Sequence, residues 1–401
     1  MSIDLLKDRG TPLEQQRFTW KELVSPPYSK LDDDAFTRQR VILMNGIESD
    51  QLRFGHACSR MNRHLQRELA ILRRAEQHQM TMVNWLNPAD QNPLETTIGY
   101  EQLAIELTAA VALKEPDPYL AQVYRFGLLE DFDHLYRYSA LMDRVEGKDP
   151  NNLVQSYTDI LPGRPTPLQH RHPEDDIRAH YDKTTADLRT KLHAYTLVAS
   201  EFQTHDYYMN IGPIYPDPVG RQLYAEIASV EEKHVTQYES ITDAGESWLE
   251  KLLLMQATEV YTYWSCVESE KNPRIKAIWE RFLDYELGHG RYVADMFERY
   301  ERRDAAEVLT SKLPSALEFV PHREFLRETV RREAGLTALG ETFIPRDQEP
   351  LDSRSAQYRA HLNSEGVASA SVSAGYVWAP GTELSHKQPQ TAPELTPNVH
   401  A

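Results

Sequence analysis

The chain has 401 residues and 46.3 kDa, is 40% hydrophobic and 26% charged, and has a mean hydropathy of -0.60. No stretch approaches the roughly 20 apolar residues that a membrane-spanning helix needs. The net charge of -17 and pI near 5.4 argue against a nucleic-acid partner, because phosphate recognition draws on an excess of Lys and Arg. Two cysteines, Cys58 and Cys266, cannot build a disulfide scaffold or a thiolate metal cage. The opening residues MSIDLLKDRGTPLEQQ lack the apolar core of a signal peptide, so a reducing cytoplasm is the expected compartment.

In chain order, residues 1–33 read as irregular, with Pro12, Pro26 and Pro27 marking loop. Over 34–146 apolar residues recur at three- and four-residue spacing, with breaks expected near 55–63, 87–96 and 114–118. The Pro- and His-rich stretch within 147–176 reads as a connector. Helical periodicity returns over 177–303, broken at 210–220, at 243–247 and at Asn272-Pro273. In the last part, 304–401, a helix is expected over 322–335 and a mostly irregular tail beyond Gly340. The expected fold class is all-α, with a four-helix bundle in each of the two helical stretches.

Residues three apart on a helix are separated by about 60° and about 4.5 Å of rise, so an acid and a histidine at that spacing can reach one ion. The chain carries this pair at Glu231/His234, Glu286/His289, Asp131/His134 and, in the tail, Glu383/His386. Composition alone predicts about 2.3 such matches, so the count decides nothing. Placement carries more weight. Glu231 shares its stripe with Tyr224, Ile227, Val235 and Tyr238; Glu286 with Trp279, Phe282, Gly290 and Val293. Glu259 sits among Leu252, Met255, Tyr263 and Cys266, and Glu201 among Ala194, Leu197, His205 and Tyr208. No Lys or Arg lies three, four or seven residues from any of these four acids. A bare carboxylate in an apolar interior costs several kcal/mol, and bound cations relieve all four at once.

The acids also repeat. Glu201, Glu231, Glu259 and Glu286 are 30, 28 and 27 residues apart; Glu48, Glu76, Glu106 and Asp131 are 28, 30 and 25 apart. Offsets of 153, 155, 153 and 155 superimpose the two sets, His134 falls on His289 and Gln79 on His234. Two tandem copies of a four-helix unit are inferred. In the first copy Gln79 replaces a histidine, Asp131 is a methylene short, and Arg73 is placed to neutralise Glu76. Chemistry is therefore expected in the second copy.

A Glu on one helix, Glu-x-x-His on the next, then both again, resembles the ferritin-like di-metal carboxylate superfamily, which includes rubrerythrins, bacterioferritins and di-iron oxygenases. The segments AEIASVEEKHVTQYES (225–240) and ELGHGRY (286–292) carry the resemblance most clearly. It covers 178–303 well and 35–146 as a degenerate copy. It implies two iron ions, with manganese as the alternative. Glu201 and Glu259 would each hold one metal, Glu231 and Glu286 would bridge, and His234 and His289 would complete the set. The short DAGES turn departs from the long crossover usual between the second and third helices of that class. An alternative assembly uses the 147–176 connector as the crossover and Glu106, Asp131, His134, Glu201, Glu231 and His234 as ligands. Glu231 and His234 belong to both versions.

The expected function is a di-iron or di-manganese oxidoreductase that activates dioxygen or peroxide on a small molecule. Its partners would be that substrate or oxidant and an unidentified electron donor, with no nucleic acid and no membrane; a homodimer is left open. The alternatives are an iron-handling or oxidative-stress protein, and a non-catalytic helical interaction protein with a relic site. Two cysteines cannot supply a rubredoxin module, and the doubled chain is unlike a ferritin cage subunit. The aromatic residues on the stripes, among them Tyr208, Tyr263, Trp279 and Tyr292, read as core or as the lining of a cavity. His170 and His172 read as loop residues.

Overall fold

The computed structural model describes residues 3–30 and 34–382. The tail pair Glu383/His386 lies outside them. Among the described residues, eight long helices carry the fold: α1 (Ala35–Met61), α2 (Gln66–Asn84), α3 (Pro93–Lys114), α4 (Pro118–Glu146), α5 (Leu188–Ile211), α6 (Pro218–Ser240), α7 (Trp248–Ser269) and α8 (Pro273–Glu301). Their starts follow from local chemistry. Asn92, Asp117, Asp217 and Asn272 cap helices whose first turn begins with proline, and Ser247 forms a capping box with Glu250. Helix α4 ends at Gly147 in the left-handed conformation, φ +62°.

The all-α expectation holds, apart from a small antiparallel hairpin of β1 (Leu336–Leu339) and β2 (Thr342–Pro345) turning at Gly340. No helix among the described residues is long and apolar enough to cross a membrane.

The helices form four hairpins, α1–α2, α3–α4, α5–α6 and α7–α8. Their association differs from two consecutive bundles over 34–146 and 177–303. The buried side chains of α3–α4 meet those of α5–α6, while those of α1–α2 meet those of α7–α8. One quartet is thus nested inside the other along the chain. Helix α1 packs on α3, α5 and α7, and this joins the two quartets. At that seam Gln203 donates to Ile42 O at 2.6 Å and accepts from Asn45 Nδ2 at 3.0 Å. The DAGES turn leads from one quartet to the other. The crossover within the inner quartet is the long segment between α4 and α5.

Within the described residues, neither the N-terminal segment nor the chain beyond α8 is a loose extension. The N-terminal segment lies along α8 so closely that a Cβ at Gly288 would collide with Thr11 O, and one at Gly10 with Asp284 O. Beyond α8, the chain forms α9 (Arg323–Glu333), the hairpin, α10 (Arg354–Leu362) and α11 (Ala368–Val372). Ala368 and Val372 join the apolar core beside α4 and α6. A mostly irregular tail is expected beyond Gly340, but small side chains let this short helix lie close against its neighbours.

Candidate metal centre

Each quartet buries a cluster of acids and imidazole. In the inner quartet, cluster A, one ligand-type atom from each of Asp131, Glu201, Glu231 and His234 lies within 4.8 Å of the others, and Glu101, His134 and Glu231 form an overlapping group on the same criterion. In the outer quartet, cluster B, Glu48, Glu76, Glu259 and Glu286 converge likewise, with His289 joining Glu76 and Glu286. All eleven side chains are buried.

The six residues assigned from the second half of the sequence therefore do not share one centre. Glu201, Glu231 and His234 fall in cluster A; Glu259, Glu286 and His289 fall in cluster B. The helix stripes were read correctly, but α6 and α7 belong to different quartets. Asp131 and His134, expected in a degenerate copy, complete cluster A, as the alternative assembly required. That assembly's Glu106 does not join them. Its carboxylate accepts from Thr158 at 2.6 Å and from the backbone N and ring Nδ1 of His322 at 3.0 and 2.9 Å. Glu101 takes the place instead. Helix α3 is buried nearly all round, so periodicity could not choose between Glu101 and Glu106.

Glu101 restores a simple signal. Glu101, Asp131 and His134 lie 100 residues before Glu201, Glu231 and His234. Glu48, Glu76 and Gln79 lie 211, 210 and 210 before Glu259, Glu286 and His289. Matching hairpin spacings thus reveal the true pairs. Arg73 does not neutralise Glu76: its guanidinium donates to Gly55 O at 2.9 Å.

The three histidines share one orientation. His289 Nε2 meets Gln16 Oε1 at 2.9 Å, and Gln16 is fixed by donating its amide to Thr11 O and Tyr285 O at 3.0 and 3.2 Å. His134 Nε2 meets Gln169 Oε1 at 2.7 Å, and the Gln169 amide donates to Arg164 O at 2.6 Å. His234 Nε2 meets Glu130 Oε2 at 3.1 Å. Each acceptor keeps the proton on Nε2 and aims Nδ1 at carboxylates. Those contacts are His134 to Glu231 at 2.9 Å, His234 to Asp131 at 3.1 Å, and His289 to Glu76 and Glu286 at 3.1 and 3.2 Å. Outer partners of this kind orient ligand imidazoles and set their tautomer.

Glu130 was not singled out from the sequence. Arg164 and Arg171, both buried in the connector, pair with it. Against the opposing cost of burial, Arg171 leads the groups that hold its carboxyl well below the usual range. His170 contacts Glu226 at 3.1 Å and the His172 ring accepts from Glu174 N, so the connector histidines lie outside both clusters.

Phenols complete the inner walls. Tyr263 donates to Glu48 at 2.5 Å, and Tyr208 donates to Glu101. In cluster B the Gln79 amide donates to Glu48 and Glu286, and Gln256 donates to Glu76 and Glu259.

Even so, apart from those imidazole contacts, both oxygens of Asp131 and of Glu201, and one each of Glu48, Glu76, Glu101, Glu231 and Glu259, have no hydrogen-bond partner. Burial, aided by Glu286, raises Glu76 to about 7; burial also lifts Glu48, Glu101, Glu201 and Glu259 well above the carboxylate range. Burial opposes the protonated imidazoles, but Glu231 brings His134 to about 10, and Asp131 and Glu286 lead the groups that raise His234 and His289. Each cluster carries four carboxylates against two imidazoles or one, and the unpartnered oxygens suit hard divalent cations. Comparison with protein-family models, with curated proteins and with solved structures gives no match.

Proposed function

We propose that the chain is a di-metal carboxylate protein of ferritin-like type with two centres, and that it performs redox chemistry with dioxygen or peroxide on a small molecule. The observation that carries this reading is the convergence of buried carboxylates, several with oxygens that only an imidazole or nothing satisfies, on Nδ1 atoms whose Nε2 partners are already fixed. Glu101, Asp131, His134, Glu201, Glu231 and His234 would hold one metal pair; Glu48, Glu76, Glu259, Glu286 and His289 would hold the other. Four carboxylates balance two divalent cations in each cluster, which removes the charge that burial penalises. Iron or manganese suits carboxylate-rich, imidazole-containing sites, and such ions supply the one-electron chemistry that side chains lack.

This chain's residues would supply the rest. Gln16, Gln169 and Glu130 orient the imidazoles. Tyr208 and Tyr263 hold Glu101 and Glu48 in place through their hydroxyl protons. The aromatic and aliphatic core excludes water. Cluster B has Gln79 where cluster A has a second imidazole, so a metal pair held there would have one imidazole ligand fewer.

The test is anaerobic loading with ferrous iron, followed by rapid mixing with dioxygen or with peroxide while the ferric absorption is recorded. Oxidation by either oxidant at a rate well above that of free ferrous iron supports the reading. Failure to bind iron or manganese, or oxidation no faster than in buffer, rejects it.

A further inference from the structure

A groove of about 560 Å³ runs between the N-terminal segment and the outer face of α2. Its floor is one stripe of that helix, since Arg67, Ala70, Ile71, Arg74, Ala75 and His78 recur at three- and four-residue spacing. Ile71, at the middle of the stripe, is 49% exposed. Leu13 and Phe18 form the opposite wall. Phe18 is backed by Phe282 and Tyr285, at ring separations of 6.1 and 5.7 Å, so this wall is preformed. The charge of the groove is one-sided. In a chain with 61 acidic residues against 44 basic ones, no Asp or Glu lines it. Glu68, beside Arg67 in sequence, is committed elsewhere: it accepts from Tyr300 at 2.7 Å and pairs with Arg299 at 3.3 Å. Arg67 and Arg74 are exposed and form no ion pair among the described residues; Arg74 reaches only the Gln77 side-chain oxygen, at 3.5 Å. Burial and Arg74 hold His78 below its ordinary pKa, so the two guanidiniums supply the charge.

We infer that this groove binds a small amphipathic carboxylate, such as a medium-chain fatty acid. The two guanidiniums take the carboxylate, whose paired oxygens match their N–H groups. The apolar body lies over Ile71 and Ala75 and against Leu13 and Phe18. The volume falls within the range of small-molecule sites. An exposed ion pair adds little affinity, so apolar contact supplies much of the binding and the guanidiniums select the sign of the head group. Gln16, which orients His289, also lines the groove, so one side chain separates the occupant from the imidazole of cluster B. The inference does not depend on metal at that cluster.

The full chain is titrated with octanoate by calorimetry, beside octylamine, which reverses the head-group charge, and acetate, which lacks the apolar body. The octanoate titration is repeated on an R67Q/R74Q chain and on an I71D chain. All three side chains are exposed, so both variants should fold, and an unchanged melting temperature checks it. The expected result is one saturable octanoate site per chain, at least tenfold weaker binding of octylamine and of acetate, and at least tenfold weaker octanoate binding in each variant. Absence of saturable octanoate binding, or equal affinity for octylamine or acetate, overturns the inference. Unchanged octanoate affinity in either folded variant also overturns it, because the probe then sits elsewhere, metal in the clusters included. A dimer of the unaltered chain that dissociates in I71D shows the groove covered by a second copy, and overturns it too. Should a variant not fold, the other variant and the comparison of the three probes on the unaltered chain decide. Octanoate binding by a chain that takes up no metal supports the groove and rejects the metal reading; metal uptake without octanoate binding does the reverse.

Discussion

His289 on α8 and Gln16 in the N-terminal segment are joined by a hydrogen bond across 273 residues of sequence, Nε2 to Oε1 at 2.9 Å. The Gln16 amide nitrogen is spent on two backbone carbonyls, so its oxygen has to face the imidazole. A Gln16→Leu change removes the acceptor and leaves the ring free to rotate. Metal affinity at cluster B should fall by about 10- to 100-fold, the usual loss when an outer-shell partner goes. Cluster A should be unaffected. Competition against a chelator of known affinity reads both centres in one titration.

Glu101 and Glu106 sit on one buried helix and have opposite expected roles. Glu101→Ala should reduce the metal bound at cluster A. Glu106→Leu should leave metal binding intact but strand the polar groups of Thr158 and His322, at a cost of about 1–3 kcal/mol for each buried group left without a partner. Metal analysis and denaturant unfolding of the two variants separate the roles.

The metal-free chain should lose stability as pH rises. Burial and Glu286 raise Glu76 from 4.5 to about 7, and Glu231 raises His134 from 6.5 to about 10 against the opposing effect of burial. In both cases the folded state holds its proton more tightly than the unfolded state. The associated stability is complete below the unfolded values and disappears as pH climbs through about 4.5–7 for Glu76 and 6.5–10 for His134. Unfolding of metal-free protein at pH 6 and pH 9 should show the lower stability at pH 9, by at least about 1 kcal/mol. Cation binding replaces those protons, so loading at pH 7 should release roughly three or four per centre, measurable with an indicator dye.

The distribution of legible and hidden features has a physical basis. The breaks between helices near 87–96, 114–118, 210–220 and 243–247 and at Asn272-Pro273 were readable because Pro, Gly and short polar residues interrupt the apolar periodicity. The burial of Glu201, Glu231, Glu259 and Glu286 was readable because each shares a stripe with apolar residues. Pairing of the hairpins was not. All four hairpins offer an acid followed by an acid-x-x-His or acid-x-x-Gln pair, and periodicity fixes which face is buried but says nothing about which hairpin it meets. Glu101 escaped because α3 has no polar face, and Glu130 because its partners Arg164 and Arg171 lie in a segment with no periodicity at all. Gln16 offered no signal, since its role exists only once the N-terminal segment lies along α8.

The central claim is that two separate metal pairs occupy nested quartets. It is tested most directly by counting metal per chain after anaerobic ferrous loading in the unaltered protein, in Glu231→Ala and in Glu286→Ala. About four ions are expected in the first and about two in each variant, with the residual ions of the two variants differing in spectrum. Fewer than about half an ion in the unaltered chain, or full loading retained in both variants, would contradict the account.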